Sequence, residues 1–189
     1  RNLRGPSTSN WSTIIHGDIK LDNILLKEGR PMYPDLVLAD FGLAEEYVPG
    51  KKMEEYIFFA GTPSYKPPEA PINLPAGDVW AIGAVIHALA RRRPPTKDFQ
   101  CIATKTQEPD EDGLPDWVVR FPRNVQRINF GFSREVSGKF GYGKYSDELD
   151  HWMRAALNMS WKKRITAFEL MAAVTSEARV KMARLPRSE

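Results

Sequence analysis

The stretch Asp78–Ala90 constrains the fold of this chain most strongly, because its side chains are apolar on nearly every side of a helix. It follows Pro75-Ala76-Gly77 and ends before Pro94-Pro95, a pair that cannot continue a helix. A helix without a polar face is stable only when protein surrounds it, so the stretch is predicted to lie at the centre of a core. Its apolar run includes His87 and is far shorter than the ~20 residues that a membrane span needs. We therefore expect no membrane span.

The remaining elements are predicted to be extended before that helix and helical after it. Apolar runs at 24–26 and 36–39, with turn-forming residues at 29–34 between them, predict two strands joined by a loop. Residues 40–69 contain four prolines and are predicted to form a long ordered loop. The last helices are predicted from Ser146, a cap residue followed by acids, to about Asn158, and from the capping box Thr166–Glu169 to about Leu185. A short helix near 116–120 is also predicted, so the chain is expected to be mainly α-helical.

Composition indicates one globular domain of 189 residues, with 42% hydrophobic and 27% charged residues. The net charge of +3 is too small to indicate a nucleic-acid partner. The basic run 91–93 is interpreted as a solvated helix end whose cations oppose the helix dipole. Cys101 is the single cysteine, and the segment 1–10 lacks the apolar core of a signal peptide. These features favour an intracellular location, in the cytoplasm or the nucleus.

The polar loop 16–23, His-Gly-Asp-Ile-Lys-Leu-Asp-Asn, carries the side chains with the clearest chemistry. An acid, a base and an amide on one loop suit phosphoryl transfer, which depends on positioning the reacting groups and on neutralising phosphate charge. Asp18 could accept the proton of a hydroxyl group, and Lys20 could neutralise the phosphoryl group in transfer. Asn23 and Asp40 offer the oxygen ligands that magnesium prefers. The same residues could instead be a polar cluster that only holds loops together.

Five motifs in order resemble the eukaryotic protein kinase family and together cover about residues 14–170. They are the loop 16–23, Asp40-Phe41-Gly42, the run 61–69 that begins Gly-Thr and ends Pro-Glu, the helix start 78–83, and Lys163-Arg164-Ile165-Thr166. The resemblance implies a mainly α protein-kinase-like C-lobe, helical with short β-strands beside the catalytic loop. It implies a lead-in at 1–12, a partial kinase domain at 13–185 and a tail at 186–189.

The resemblance also implies the site residues and their ligands. ATP would be the phosphoryl donor, Mg²⁺ its cofactor, and a protein the acceptor. Lys20 together with Thr62 resembles the serine/threonine branch of the family. The residues that the family pattern makes catalytic are Asp18, Lys20, Asn23 and Thr62; those that would contact the nucleotide are Lys20, Asn23, Leu25 and Asp40, of which Asn23 and Asp40 would bind the metal.

Other residues receive structural roles from the same pattern. Glu69 and Arg164 would form a buried ion pair, which suits a bidentate arginine. Asp78 would accept hydrogen bonds from the catalytic-loop backbone, although taken alone it could also be a helix N-cap. The rings of His16 and Phe41 would stack in the core. Gly42 would permit the backbone turn after Asp40.

The chain departs from the family pattern at Gly17, where many kinases have an arginine that pairs with a phosphorylated activation loop. Without that arginine, a phosphate on the loop would lose its main partner. The loop 44–60 has hydroxyl groups only at Tyr47 and Tyr56. We therefore hypothesise that activity does not depend on activation-loop phosphorylation.

The chain also lacks the N-lobe motifs of the family. Only 15 residues precede His16, and they contain no glycine-rich loop and no strand lysine. This segment is expected to be a fragment whose partner is the missing N-lobe, and to have little activity alone. Two alternatives stay open: a small-molecule phosphotransferase of the aminoglycoside or choline type, which shares His-Gly-Asp, and a non-catalytic pseudokinase module. Lys20 and the run 61–69 favour the protein kinase. The segment 101–144 is expected to be a surface loop or a partner-docking insertion.

Overall fold

The computed structural model describes residues 12–30, 33–51, 61–69, 72, 74–96, 125, 128 and 145–183. Short 3-10 turns at 21–23 and 63–65 accompany the regular elements. The predicted helix near 116–120, Cys101, Tyr56 and nearly all of 101–144 lie outside the described residues. Within the described ranges, the elements in chain order are β1 (Thr13–Ile15), β2 (Ile24–Arg30), β3 (Tyr33–Leu38), β4 (Glu45–Tyr47), α1 (Leu74–Arg91), α2 (Asp147–Ala156) and α3 (Ala167–Ala183).

The strands form two small antiparallel sheets, β2 with β3 and β1 with β4. The first contains both predicted strands, with Ile24 opposite Leu38 and Leu26 opposite Leu36. Its strands are longer than predicted, because the turn-forming residues on both sides of the connection continue the ladder. The second sheet was not predicted, since β4 lies in the stretch 40–69 that was expected to be a loop. The three residues of β4, Glu-Glu-Tyr, are too few and too polar to show the alternation that marks a strand.

Helix α1 is the centre of the core, as its composition predicts. Among its described side chains, 75–91, Leu89 alone is exposed. Trp80 is fully buried and shares a cluster with Met153 and Leu157 from the region of α2. A Cβ atom on Gly83 would lie 2.8 Å from the Leu157 Cγ, so the two helices approach as closely as a glycine allows. No helix among the described residues is long and apolar enough to cross a bilayer.

The bounds of α1 correct two predictions. The helix begins at Leu74, because a proline in the first turn forfeits no intrahelical hydrogen bond. Asp78 is therefore inside the helix, and its interpretation as an N-cap is wrong. The helix ends at Arg91, and Arg92 follows with a left-handed φ of 56°. Arg91 is buried, so the interpretation of a solvated basic end holds for Arg92 and Arg93 only.

The predicted caps of α2 and α3 are present. The Ser146 hydroxyl accepts a hydrogen bond from the amide of Leu149 at 3.2 Å. The Thr166 amide donates to the Glu169 carboxylate at 3.0 Å, and the Glu169 amide donates to the Thr166 hydroxyl at 3.2 Å. Each pair satisfies an amide that the first turn of a helix leaves without a partner.

Candidate active site

Asp18 is the centre of the site, on the loop between β1 and the 3-10 turn at 21–23. It is 8% exposed. Its Oδ1 accepts a hydrogen bond from the Thr62 amide at 2.8 Å, and its Oδ2 lies 2.7 Å from the Lys20 Nζ. Lys20 also donates to the Thr62 hydroxyl at 3.0 Å. The structure thus brings together three residues that sequence analysis assigned to catalysis, one of them from a distant segment.

The protonation states of Asp18 and Lys20 follow from their contacts. Burial opposes the ionisation of Asp18, but hydrogen bonds from Lys20 and Thr62 outweigh it and lower the pKa of the Asp18 carboxyl. The hydrogen bond to Asp18 in turn raises the pKa of Lys20. At neutral pH the pair is a carboxylate and an ammonium. Such a carboxylate can orient a hydroxyl group and take its proton once the oxygen becomes acidic during bond formation.

Asn23 and Asp40 supply the oxygens that could hold a cation. The Asn23 Nδ2 donates to the Asp18 carbonyl at 2.9 Å and to the Asp18 Oδ2 at 3.3 Å, which commits the amide nitrogen and leaves Asn23 Oδ1 as the ligand atom. Asp40 is exposed at the end of β3. The described residues contain no group of three or more His, Cys, Asp or Glu side chains placed for a metal. A cation at Asn23 and Asp40 would therefore need further oxygens, which nucleotide phosphates and water supply for magnesium.

The turn after β3 differs from the prediction in one respect. Its left-handed residue is Asp40, with φ of 62°, and Gly42 has no positive φ. Aspartate tolerates this region better than most residues. The Gly42 amide donates to the Asp40 Oδ1 at 3.3 Å, and a Cβ on Gly42 would lie 3.2 Å from that oxygen. Gly42 therefore provides room for the Asp40 carboxylate and is not the residue that turns the backbone.

Asp78 fixes the loop to the core helix. Its Oδ2 accepts from the His16 amide at 2.7 Å, and its Oδ1 accepts from the Gly17 amide at 3.1 Å. Burial raises the pKa of the Asp78 carboxyl, although the two amides oppose that rise. The loop backbone immediately before Asp18 is thus held by α1, as the family resemblance implied.

His16 links the loop to the strand that carries Asp40. Its Nε2 lies 3.1 Å from the Ala39 carbonyl, and its Nδ1 accepts from the Asp18 amide at 3.3 Å. These contacts require the tautomer with hydrogen on Nε2. The His16 and Phe41 rings lie 4.9 Å apart and tilted by 58°. Phe41 is 58% exposed, so the prediction that both rings stack in the core is wrong for Phe41.

The predicted ion pair between Glu69 and Arg164 is present and bidentate. The Nη1 and Nη2 groups each donate to a Glu69 oxygen at 2.8 Å. The Arg164 side chain is fully buried and also donates to the carbonyls of Asn158 and Ala76. Its guanidinium carbon lies 5.0 Å from the centre of the Trp80 ring. The end of the segment 61–69 is thereby tied to α1 and to the loop after α2.

Leu25 lies on β2 opposite Val37 and is 53% exposed. Its assigned contact with a nucleotide stays a prediction. The surrounding hairpin is unusually apolar for a surface. Its large exposed side chains are Leu25, Leu26, Leu36, Val37 and Leu38, with Phe41 beside them.

Gly61 and Lys66 are residues of this site that sequence analysis missed. Gly61 precedes Thr62 and approaches the Gly17 carbonyl, and Lys66 is buried beside a cavity of about 10 Å³ that also touches Asp18, Thr62 and Asp78. Such a volume holds about one water molecule. Both residues belong to the run 61–69. A lysine is ordinarily a surface residue, and no sequence pattern indicates that Lys66 is buried.

Comparison with known proteins gives one family match and several relatives. The model of the protein kinase domain matches residues 10–174. Serine/threonine-protein kinase TAO3 of Rattus norvegicus is 36% identical over 133 residues, which are 65% of this chain and 14% of that protein. Serine/threonine-protein kinase PLK4 of Drosophila persimilis is 38% identical over 85 residues, 43% of this chain and 10% of that protein. A serine/threonine-protein kinase of Gibberella zeae is 25% identical over 181 residues, 85% of this chain and 32% of that protein. The chain thus spans a third or less of the length of these relatives.

Proposed function

This chain belongs to the protein kinase family, and on that premise we propose that it is part of a serine/threonine protein kinase, which transfers the terminal phosphoryl group of ATP to hydroxyl groups of proteins. The proposal rests on the arrangement of side chains around Asp18. A buried carboxylate, a paired ammonium and a threonine from the segment 61–69 lie within hydrogen-bond distance of each other. The names of the three relatives from rat, fruit fly and fungus support the serine/threonine class.

In the proposed reaction Asp18 accepts a hydrogen bond from the acceptor hydroxyl and orients its oxygen towards the γ-phosphorus. The new O–P bond forms as the bond to the bridging oxygen of ATP breaks, and the hydroxyl proton passes to Asp18. Lys20 already lies between Asp18 and Thr62, where its charge can balance that of the phosphoryl group. Magnesium held by Asn23 Oδ1 and the Asp40 carboxylate would neutralise charge on the nucleotide phosphates.

The segment 61–69 favours a protein kinase over a small-molecule phosphotransferase. It reaches Asp18 through the Thr62 amide and is anchored at its other end by the pair of Glu69 with Arg164. A segment held at both ends beside the catalytic carboxylate is a rigid shelf for a polypeptide substrate. The pseudokinase alternative is less favoured, because Asp18, Lys20 and Asp40 are all present and Asp18 is paired with Lys20.

We further propose that an N-lobe elsewhere in the full-length protein covers the apolar hairpin and completes the nucleotide site. The chain alone would then have little activity. Because Gly17 carries no side chain to bind a phosphate, activity is also proposed to be independent of activation-loop phosphorylation. Phosphatase treatment of the active full-length enzyme should leave its rate unchanged; a large fall would contradict this.

The roles of Asp18 and Asp40 can be separated in the full-length protein. Asp18→Asn and Asp40→Asn should each lower transfer to a protein acceptor by at least ~10²-fold, because each removes a charge used at the reacting groups. Asparagine tolerates the left-handed backbone of residue 40, so the second variant tests charge and not strain. Asp18→Asn should bind magnesium-ATP normally, whereas Asp40→Asn should bind it more weakly.

The control is Asp147→Asn, which removes an exposed carboxylate at the start of α2 and should leave transfer intact. Calorimetry would give the affinities and radiolabel transfer the rates. Equal loss of nucleotide affinity in the Asp18 and Asp40 variants would refute the assigned roles.

A further inference from the structure

Two glycines with left-handed backbones meet beside the catalytic carboxylate. Gly17 has φ of 81° and Gly61 has φ of 91°. A Cβ atom on Gly61 would lie 2.8 Å from the Gly17 carbonyl oxygen and 3.0 Å from the Lys66 Cε. No real Cβ atom sits that close to a backbone oxygen, so any larger residue at 61 would push the two segments apart.

This contact stands next to one of the hydrogen bonds that the Asp18 carboxylate accepts. Gly17 precedes Asp18 and Gly61 precedes Thr62, whose amide donates to the Asp18 Oδ1 at 2.8 Å. A hydrogen bond of this kind is lost when its donor moves by about an ångström. The close approach of the two backbones is therefore what brings the Thr62 amide within reach of Asp18.

Lys66 borders the same point, the Cβ position of residue 61. Its side chain is buried, and its Cε and Nζ atoms lie 3.0 and 3.5 Å from the point where a Gly61 Cβ would stand. The alkyl stem of Lys66 thus fills the space that a side chain at position 61 would otherwise occupy. The stem packs beside the junction of Gly61 with the catalytic loop.

We infer that Gly61 and Lys66 are positioning residues that hold the Thr62 amide on Asp18 through backbone contact with Gly17. The inference rests on the proposed function only for its effect on turnover. It also offers a physical reason for the proposed independence from activation-loop phosphorylation. The start of the 61–69 segment meets the catalytic loop at the Gly17 backbone, so this contact needs no side chain at position 17.

The matched pair Gly61→Ala and Gly50→Ala separates crowding from backbone strain. Gly50 has nearly the same φ, 87°, but no atom within 4 Å of its hypothetical Cβ. Both substitutions add the strain of a left-handed alanine, and only the first adds a collision. In the full-length protein, hydrogen exchange of the Thr62 amide should become on the order of five- to tenfold faster in Gly61→Ala, the loss of about one hydrogen bond. It should stay at the wild-type rate in Gly50→Ala.

A second pair tests the lysine and decides the question if Gly61→Ala does not fold. Lys66→Ala removes the stem, whereas Lys66→Met keeps most of it without the charge. Faster Thr62 exchange is expected in Lys66→Ala and near-wild-type exchange in Lys66→Met. Turnover should fall in Gly61→Ala and Lys66→Ala and stay near the wild-type value in Lys66→Met, because only the first two loosen the Thr62 amide from Asp18.

The outcomes are distinct. Unchanged Thr62 exchange in both Gly61→Ala and Lys66→Ala, or equal acceleration in Gly50→Ala, would overturn the inference. If the exchange pattern is as expected but the wild-type protein transfers no phosphate, the positioning contact stands and the proposed function fails.

Discussion

The properties of Asp18 come from neighbours at very different distances along the chain. Lys20 and Asn23 belong to the same loop, so their proximity follows from spacing alone. The Thr62 amide comes from 44 residues away. Because these contacts outweigh the effect of burial, the Asp18 carboxyl is charged at neutral pH.

The lowered pKa of Asp18 predicts part of the acid sensitivity of the fold. An unfolded aspartate takes up a proton near ~3.9, whereas folded Asp18 keeps its charge to lower pH. Its contribution to stability is therefore fully present above the unfolded pKa and is lost as pH falls through the folded pKa. Between about pH 6 and about pH 3, Asp18→Asn should lose less unfolding free energy than the wild type. Urea denaturation across this range measures it, and an equal or larger loss in the variant would count against the assignment.

At the scale of elements, α1 and Arg164 organise the described part of the molecule. Among the described residues, α1 contributes to three core clusters, and its Gly83 lets α2 approach closely. Arg164 bonds to Glu69, to Ala76 in the first turn of α1, and to Asn158 after α2. One guanidinium group thus joins three segments, and its loss should loosen all of them.

Arg164→Met should destabilise the protein by about 3–5 kcal/mol, because it leaves Glu69 as a largely buried carboxylate without its partner. Glu69→Gln should cost less, since the glutamine carbonyl can still accept one hydrogen bond from Arg164. The control Arg154→Met, at an exposed position of α2, should stay within about 0.5 kcal/mol. Urea unfolding gives all three values.

A double variant, Glu69→Met with Arg164→Met, tests whether the stranded charge is the cause. It should be more stable than Arg164→Met alone, because no unpaired carboxylate remains. Additive losses in the double variant would show that the ion pair is not what stabilises this junction.

At the scale of the whole molecule, two groups of described apolar side chains contrast most. One group surrounds α1 and is buried. The other lies on the β2–β3 hairpin, where Leu26 is 70% and Leu36 is 67% exposed on opposite strands of one ladder. A patch of this kind commonly marks a surface that another protein segment covers. The proposed N-lobe is such a segment.

The exposed hairpin predicts how the 189-residue chain behaves alone. It should bind a hydrophobic fluorescent dye and self-associate at high concentration, because the patch is open to solvent. Leu26→Lys with Leu36→Lys should reduce both effects. Leu89→Lys, which alters an equally exposed leucine on α1, should change neither. Fluorescence titration and sedimentation measure them; similar dye binding by the hairpin variant and the wild type would argue that the patch is not the cause.

Features that depend on residues close together in the chain could be predicted from the residue order. The apolar stretch around Trp80 predicts the buried helix, and the residues at 146 and 166 predict helix starts that the structure has. The loop 16–23 collects Asp18, Lys20 and Asn23, and the ordered motifs predicted the family to which the chain belongs. These are short-range patterns, so the residue order is enough to read them.

Features that depend on residues far apart in the chain became visible only in the folded molecule. The strand β4 exists because β1 pairs with it, and its three residues carry no signal of their own. Burial of Arg91 and Lys66 opposes the ordinary preference of both residue types. The contact of Gly61 with Gly17 depends on where two segments cross. The sequence shows that residue 61 is a glycine, but it does not show which atoms lie where a side chain would be. Where two segments cross is set by how the core packs. The motifs therefore predicted the family, but only the structure showed which contacts hold the Thr62 amide on Asp18.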